Sequence, residues 1–138
     1  MGSTHLQVST RYHDDMSTTR HPLDRCFPGG VFESSCPSRV VLDHVTSKWG
    51  VLVLVALHGR TLRWSELRRT VDGISEKMLA QTLRTLESDG LVSRTALPVV
   101  PPHVEYALTS TGQEVGALLH PLMAWIAANA DDILKETG

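Results

Sequence analysis

Cysteine appears only twice in the 138 residues, at positions 26 and 36. A disulfide framework needs more, and neither cysteine has companions at zinc-ligand spacing. In a reducing cytosol both are expected to rest as thiols. Long hydrophobic runs are missing as well. The longest, residues 51–57, falls far short of the roughly 20 residues that span a bilayer. No apolar segment follows the first methionine in the manner of a secretory signal, so the expected location is the cytoplasm, with no membrane partner. Charge of one sign is not in excess: the net value is −2, and no global basic field advertises a polyanion. Aromatic residues make up only 5%, and Trp49, Trp64 and Trp125 read as core and interface packing rather than a ligand pocket. Paired carboxylates, a metal-ligand cluster, a phosphate-binding glycine loop and a Ser/His/Asp context are all absent. His44 lies about two turns from Cys36 on one helix, too thin a basis for a cysteine catalyst. No enzyme, cofactor or metal is expected.

What is present suits one domain with a real core, at 41% apolar residues. Residues 1–34 are rich in Ser, Thr, His, Asp, Pro and Gly without any period, which predicts a disordered N-terminal arm, with Pro28-Gly29-Gly30 as a breaker. The folded domain is expected over 35–130, with 131–138 as a C-terminal tail. A first helix opens at Pro37 with Cys36 as its N-cap, carries Val40, Val41, Leu42 and Val45, and ends near Ser47. "KWGVLVLVALHG" predicts a buried second helix closed by Gly59. "RTLRW" reads as a short extended piece. "SELRRTVDG" is a third helix capped by Ser65 and ended by Gly73.

The fourth helix lies in "GISEKMLAQTLRTLESDGLV". Ser75 caps it, Ile74 and Leu79 form a hydrophobic staple, and Gly90 ends it in a left-handed conformation. The period then changes. "LVSRTAL" and "VEYALT" are strand-like, joined by the proline-stiffened tip "PVVPPH". A last helix, capped by Thr109, begins near Ser110, runs to Lys135 and carries Pro121 as an expected kink. The fold class is therefore mainly α with a small β-hairpin. A short helix joined to a longer one through Asp72-Gly73 is the helix-turn-helix arrangement, and the hairpin makes it a winged helix.

With the Leu79, Leu83 and Leu86 stripe at 0°, the helical period puts Lys77 near 160°, Gln81 near 200°, Arg84 near 140° and Ser88 near 180°, all angles being about these values. The row stands opposite the core. Gln pairs bidentately with adenine and Arg with guanine in the major groove, while Lys77 beside the free N–H groups of the helix start suits phosphate. A solvated helix face would carry the same residues, so the pattern matters chiefly in combination with the preceding helix and the hairpin. Residues 60–94 hold seven Lys/Arg against five Asp/Glu. Arg68 and Arg69 on the third helix, and Arg94 and His103 flanking the hairpin, fall where backbone contacts belong. A winged-helix module that binds protein instead of DNA is the alternative left open by the low overall basicity.

Cys36-Pro37, Lys48-Trp49, "SELRR", "GIS.K.L.Q.L..LE.DGLV", "VPP.VEY.LT" and Gly112, spread over residues 36–128, resemble the HxlR family of winged-helix transcriptional regulators. That resemblance implies a homodimer bound to a palindromic double-stranded operator, with the N- and C-terminal helices forming the dimer interface. It also leaves room for a small-molecule or oxidant effector. On it, Ser75, Lys77, Gln81, Thr82, Arg84, Arg68, Arg69, Arg94 and His103 are the DNA-binding candidates. The family often has arginine where Thr82 and His103 stand, which predicts fewer contacts there, and glycines where Thr46-Ser47 stand. Several members sense oxidants or electrophiles through a cysteine in this Cys-Pro context, which makes Cys36 the redox-sensing candidate. A helix N-cap and the nearby Arg39 favour a thiolate there. The alternative is a small capping residue that senses nothing, with Cys26 either a resolving partner or an incidental thiol.

Overall fold

The computed structural model describes residues 30–137. The chain divides into two compact units between Asp43 and His44. Much of the expected arm lies outside the described residues. A 3-10 turn, Gly30–Phe32, precedes helix α1, Pro37–Thr46, whose residues to Asp43 belong to the first unit and whose last turn, from His44, belongs to the second. Pro37 does open this helix, its fixed φ and missing N–H suiting the first position. The Cys36 N–H bonds to the Glu33 carbonyl at 3.0 Å and Arg39 Nη1 to that of Phe32 at 3.2 Å. Val40, Val41 and Leu42 of α1 are exposed.

The second unit runs α2 (Lys48–Leu57), β1 (Leu62–Arg63), α3 (Trp64–Thr70), α4 (Glu76–Ser88), β2 (Val92–Leu97), β3 (His103–Leu108) and α5 (Ser110–Thr137). Ser47 caps α2 by accepting the Gly50 N–H. The turn after α2 closes through Gly59 at φ +78°. Val53, Leu54, Leu57, Leu67, Ile74, Leu79, Leu83 and Leu86 build one core, onto which Leu62, Val92, Tyr106 and Leu108 pack from the sheet. Burial of this apolar surface, at roughly 25 cal/mol per Å², is what holds α3 and α4 at a fixed angle.

Three differences from expectation have local causes. The extended piece is a third strand: Leu62 pairs with Tyr106 and Arg63 with Glu105, giving the antiparallel order β1-β3-β2. Helix α3 starts at Trp64 rather than after Ser65, because the Arg63 N–H is met by Glu66 Oε1 at 2.8 Å. The last helix ends at Thr137, two residues past its expected end at Lys135, so that the stretch from 131 assigned to a tail is helical, and Pro121 stays inside that helix. Among the described residues no single helix is long and apolar enough to cross a membrane.

Candidate nucleic-acid interface

Helix α4 is fixed by its ends and its inner face. Ser75 Oγ accepts the Met78 N–H at 3.0 Å, and Gly90 leaves the helix at φ +77°. Leu79, Leu83 and Leu86 are fully buried. The opposite side therefore cannot rotate inward. Lys77, Gln81, Arg84 and Ser88 are all exposed on it. Among the described residues none of these four side chains has a hydrogen-bond or ion-pair partner, so their polar ends are available to a ligand in solution.

Thr82 stands apart. It is 8% exposed on the core side of α4, and the row does not include it. The angular projection carried that signal, since Thr82 falls about 60° from the leucine stripe.

The flanking candidates differ in how free they are. Arg68 Nη1 bonds to Glu76 Oε2 at 3.1 Å, and both side chains are exposed. Such a pair contributes about 0–1 kcal/mol, so exchanging Glu76 for a phosphate costs little. Arg69 is exposed and shares an open cleft with Trp64, Ser65, Arg68, Asp72 and Glu76. Arg94 is exposed on β2, opposite Tyr106 in register. His103 at the base of the wing tip lies 3.8 Å from Glu105 Oε2 and is only partly exposed. Helices α3, α4 and the hairpin thus carry these side chains on one structural unit, with Glu76 beside Arg68 and Glu105 beside His103. Sequence reasoning missed both acids. Glu76, the first residue of α4 and eight positions from Arg68, could have been found from the predicted helix-turn-helix geometry.

Cys36 departs from the expected thiol. It is disulfide-bonded and 1% exposed. The only other cysteine, Cys26, lies outside the described residues.

A small three-stranded sheet, a helix-turn-helix and an exposed donor row define a winged-helix transcription regulator. A family model for the HxlR-like helix-turn-helix matches residues 44–133, and the chain belongs to that family. The uncharacterized HTH-type transcriptional regulator YtfH of Escherichia coli K12 is 56% identical over 106 residues, 77% of this chain and 84% of that one. The solved structure of ytfH from Salmonella typhimurium, assigned as a transcriptional regulator, is 53% identical with a TM-score of 0.72, covering 78% of this chain and 96% of that one. The redox regulator HypR in its oxidized form is 34% identical with a TM-score of 0.63, covering 68% and 97%. The first two are named as transcriptional regulators and the third as a redox regulator.

Proposed function

We propose that the chain acts as a homodimer on a palindromic double-stranded operator, placing α4 of each protomer in successive major grooves about 34 Å apart. The observation that carries this reading is the unpartnered row of Lys77, Gln81, Arg84 and Ser88, backed by a helix face that the core immobilises. Gln81 and Arg84 have the donor geometry for adenine and guanine edges. Lys77, Arg68 and Arg69 suit phosphates, and Arg94 and His103 bring the wing to backbone or minor groove. Ser75 contributes by holding the helix start, and Thr82 by packing behind the row. The apolar stripes supply the pairing: Leu118, Leu122, Trp125, Ile126 and Ile133 are exposed within about 100° of one side of α5, and α1 exposes Val40, Val41 and Leu42. A chain doing this work sits with the nucleoid in the cytoplasm.

A gel shift with the promoter upstream of its own gene, in excess random competitor, tests the reading. A retarded band of dimer stoichiometry that survives competition is expected. Loss of the band at the same competitor concentration for all duplexes would favour the protein-binding alternative.

A second reading, response to oxidants through Cys36, is supported by the disulfide and by likeness to a protein described as a redox regulator. Mass spectrometry under non-reducing conditions, paired with operator binding before and after reductant, tests it. Binding that ignores the state of Cys36 ends this part and leaves the DNA reading intact.

A further inference from the structure

Among the contacts in the second unit, one pair sits at the exit of the recognition helix and has no part in the reading above. His44 Nδ1 lies 2.7 Å from Asp89 Oδ2, joining residues 45 positions apart. A carboxylate is acceptor only, so the imidazole N–H donates. The His44 and Asp89 side chains are 32% and 17% exposed. Asp89 is the C-cap of α4, and its backbone N–H closes the helix on Thr85 O at 3.0 Å. A negative group is unfavourable at this end of a helix, where the dipole is already negative. Such a carboxylate seeks a donor.

Two donors are near. His44, Arg84, Thr85, Ser88 and Asp89 line a single cleft of about 270 Å³. Arg84 therefore opens onto the same space as the Asp89 carboxylate, yet among the described residues its guanidinium has no ion-pair partner. Glu87, one turn beyond Arg84, does not line that cleft. Arginine and carboxylate form the strongest of the common side-chain hydrogen bonds when they meet. His44 binds one of the two carboxylate oxygens and so fixes the direction in which Asp89 points.

We infer that His44 is a positioning residue for DNA recognition: by holding the Asp89 carboxylate it leaves the Arg84 guanidinium free to reach a base edge or phosphate. This rests on the reading of Arg84 as a DNA contact. Without His44, the carboxylate captures Arg84, and the row loses its third member while the helix stays in place. The arrangement is a competition for one acceptor, so its signature is that removing the acceptor cancels the effect of removing His44.

The test uses the full-length chain and the tightest duplex that it selects from a random-sequence library, read by fluorescence anisotropy. His44→Ala should weaken binding roughly five- to tenfold, the scale of one base or phosphate interaction. His44→Asn, which places an amide donor where Nδ1 stood, should bind like wild type. Asp89→Ala should bind at least as tightly as wild type, and the double variant His44→Ala/Asp89→Ala should return to within about twofold of it. In an Arg84→Ala background, His44→Ala should add nothing. The inference is overturned if the double variant stays as weak as His44→Ala, if Asp89→Ala is itself weak, or if the His44→Ala loss persists without Arg84. If Arg84→Ala binds like wild type, or no duplex is selected, the underlying DNA reading fails and takes the inference with it. Circular dichroism melts on each variant separate a failure to fold from a failure to bind.

Discussion

Thr109 and Gly90 are joined at the exit of α4: the threonine Oγ1 donates to the glycine carbonyl oxygen at 2.6 Å and accepts the Gly112 N–H at 3.0 Å. The Thr109 N–H also reaches Leu91 O at 3.0 Å. One hydroxyl thus satisfies an orphan carbonyl behind α4 and an orphan amide at the start of α5. Thr109→Val keeps the shape and removes both bonds, and should cost about 1–2 kcal/mol, read as a lower thermal midpoint. Thr109→Ser should retain most of the stability. Equal melting of Thr109→Val and wild type would show that the cap contributes nothing.

Gly112 and Gly90 are glycine for different reasons, and the difference is measurable. A Cβ on Gly112 would run into the Leu91 carbonyl and lie 3.1 Å from Leu108 Cβ. Both obstacles are close to the backbone and cannot swing away. Gly112→Ala should therefore lose about 1–3 kcal/mol through overpacking. At Gly90 an added Cβ meets nothing, and only the positive φ is strained. Gly90→Ala should cost about 1 kcal/mol. Urea titrations should rank Gly112→Ala as the less stable of the two, and the reverse order would refute the close approach.

These two glycines also show what the sequence makes legible. Gly90 could be placed because helix ends have local signatures: an apolar period that stops, then a residue free to turn left-handed. Ser75 and the Leu79, Leu83 and Leu86 stripe were readable for the same reason. The crowding of Gly112 by Leu91 involves segments that meet only in the fold, and so do the Leu62–Tyr106 pairing and the His44–Asp89 bond. No period or spacing announces such meetings. Thr82 sits between these cases: its angle toward the core is in the sequence, while the resemblance, in which arginine often stands there, points to a DNA contact.

Lys77 and Gln81 should fail in different ways. A lysine at the helix start contributes charge to phosphate regardless of sequence. Lys77→Ala should thus weaken operator and random duplex alike and flatten the log–log salt dependence by about 0.9 for each phosphate no longer neutralised, hence about 2 for a dimer. Gln81→Ala should leave random DNA and the salt slope unchanged and cost roughly 1–3 kcal/mol at one base pair in each half-site. Equal losses on both duplexes for Gln81→Ala would reject it as a base reader.

The exposed strip on α5 carries the sharpest test of the proposed homodimer. Trp125 is 56% exposed and Leu122 52%, and large apolar patches of this kind rarely stay uncovered on monomeric proteins. At a two-fold interface each substitution enters twice, and like charges meet across or near the axis. Leu122→Glu/Trp125→Glu should therefore convert the chain to a monomer in light scattering. The fold of α2 to β3 should survive, because neither residue belongs to the core cluster. Operator binding should fall far more than random-DNA binding, since a single α4 reads one half-site and forfeits the second. A double variant that remains dimeric would mean that chains pair through another surface. One that is monomeric yet binds the palindrome unchanged would mean that pairing is not what delivers α4 to its groove.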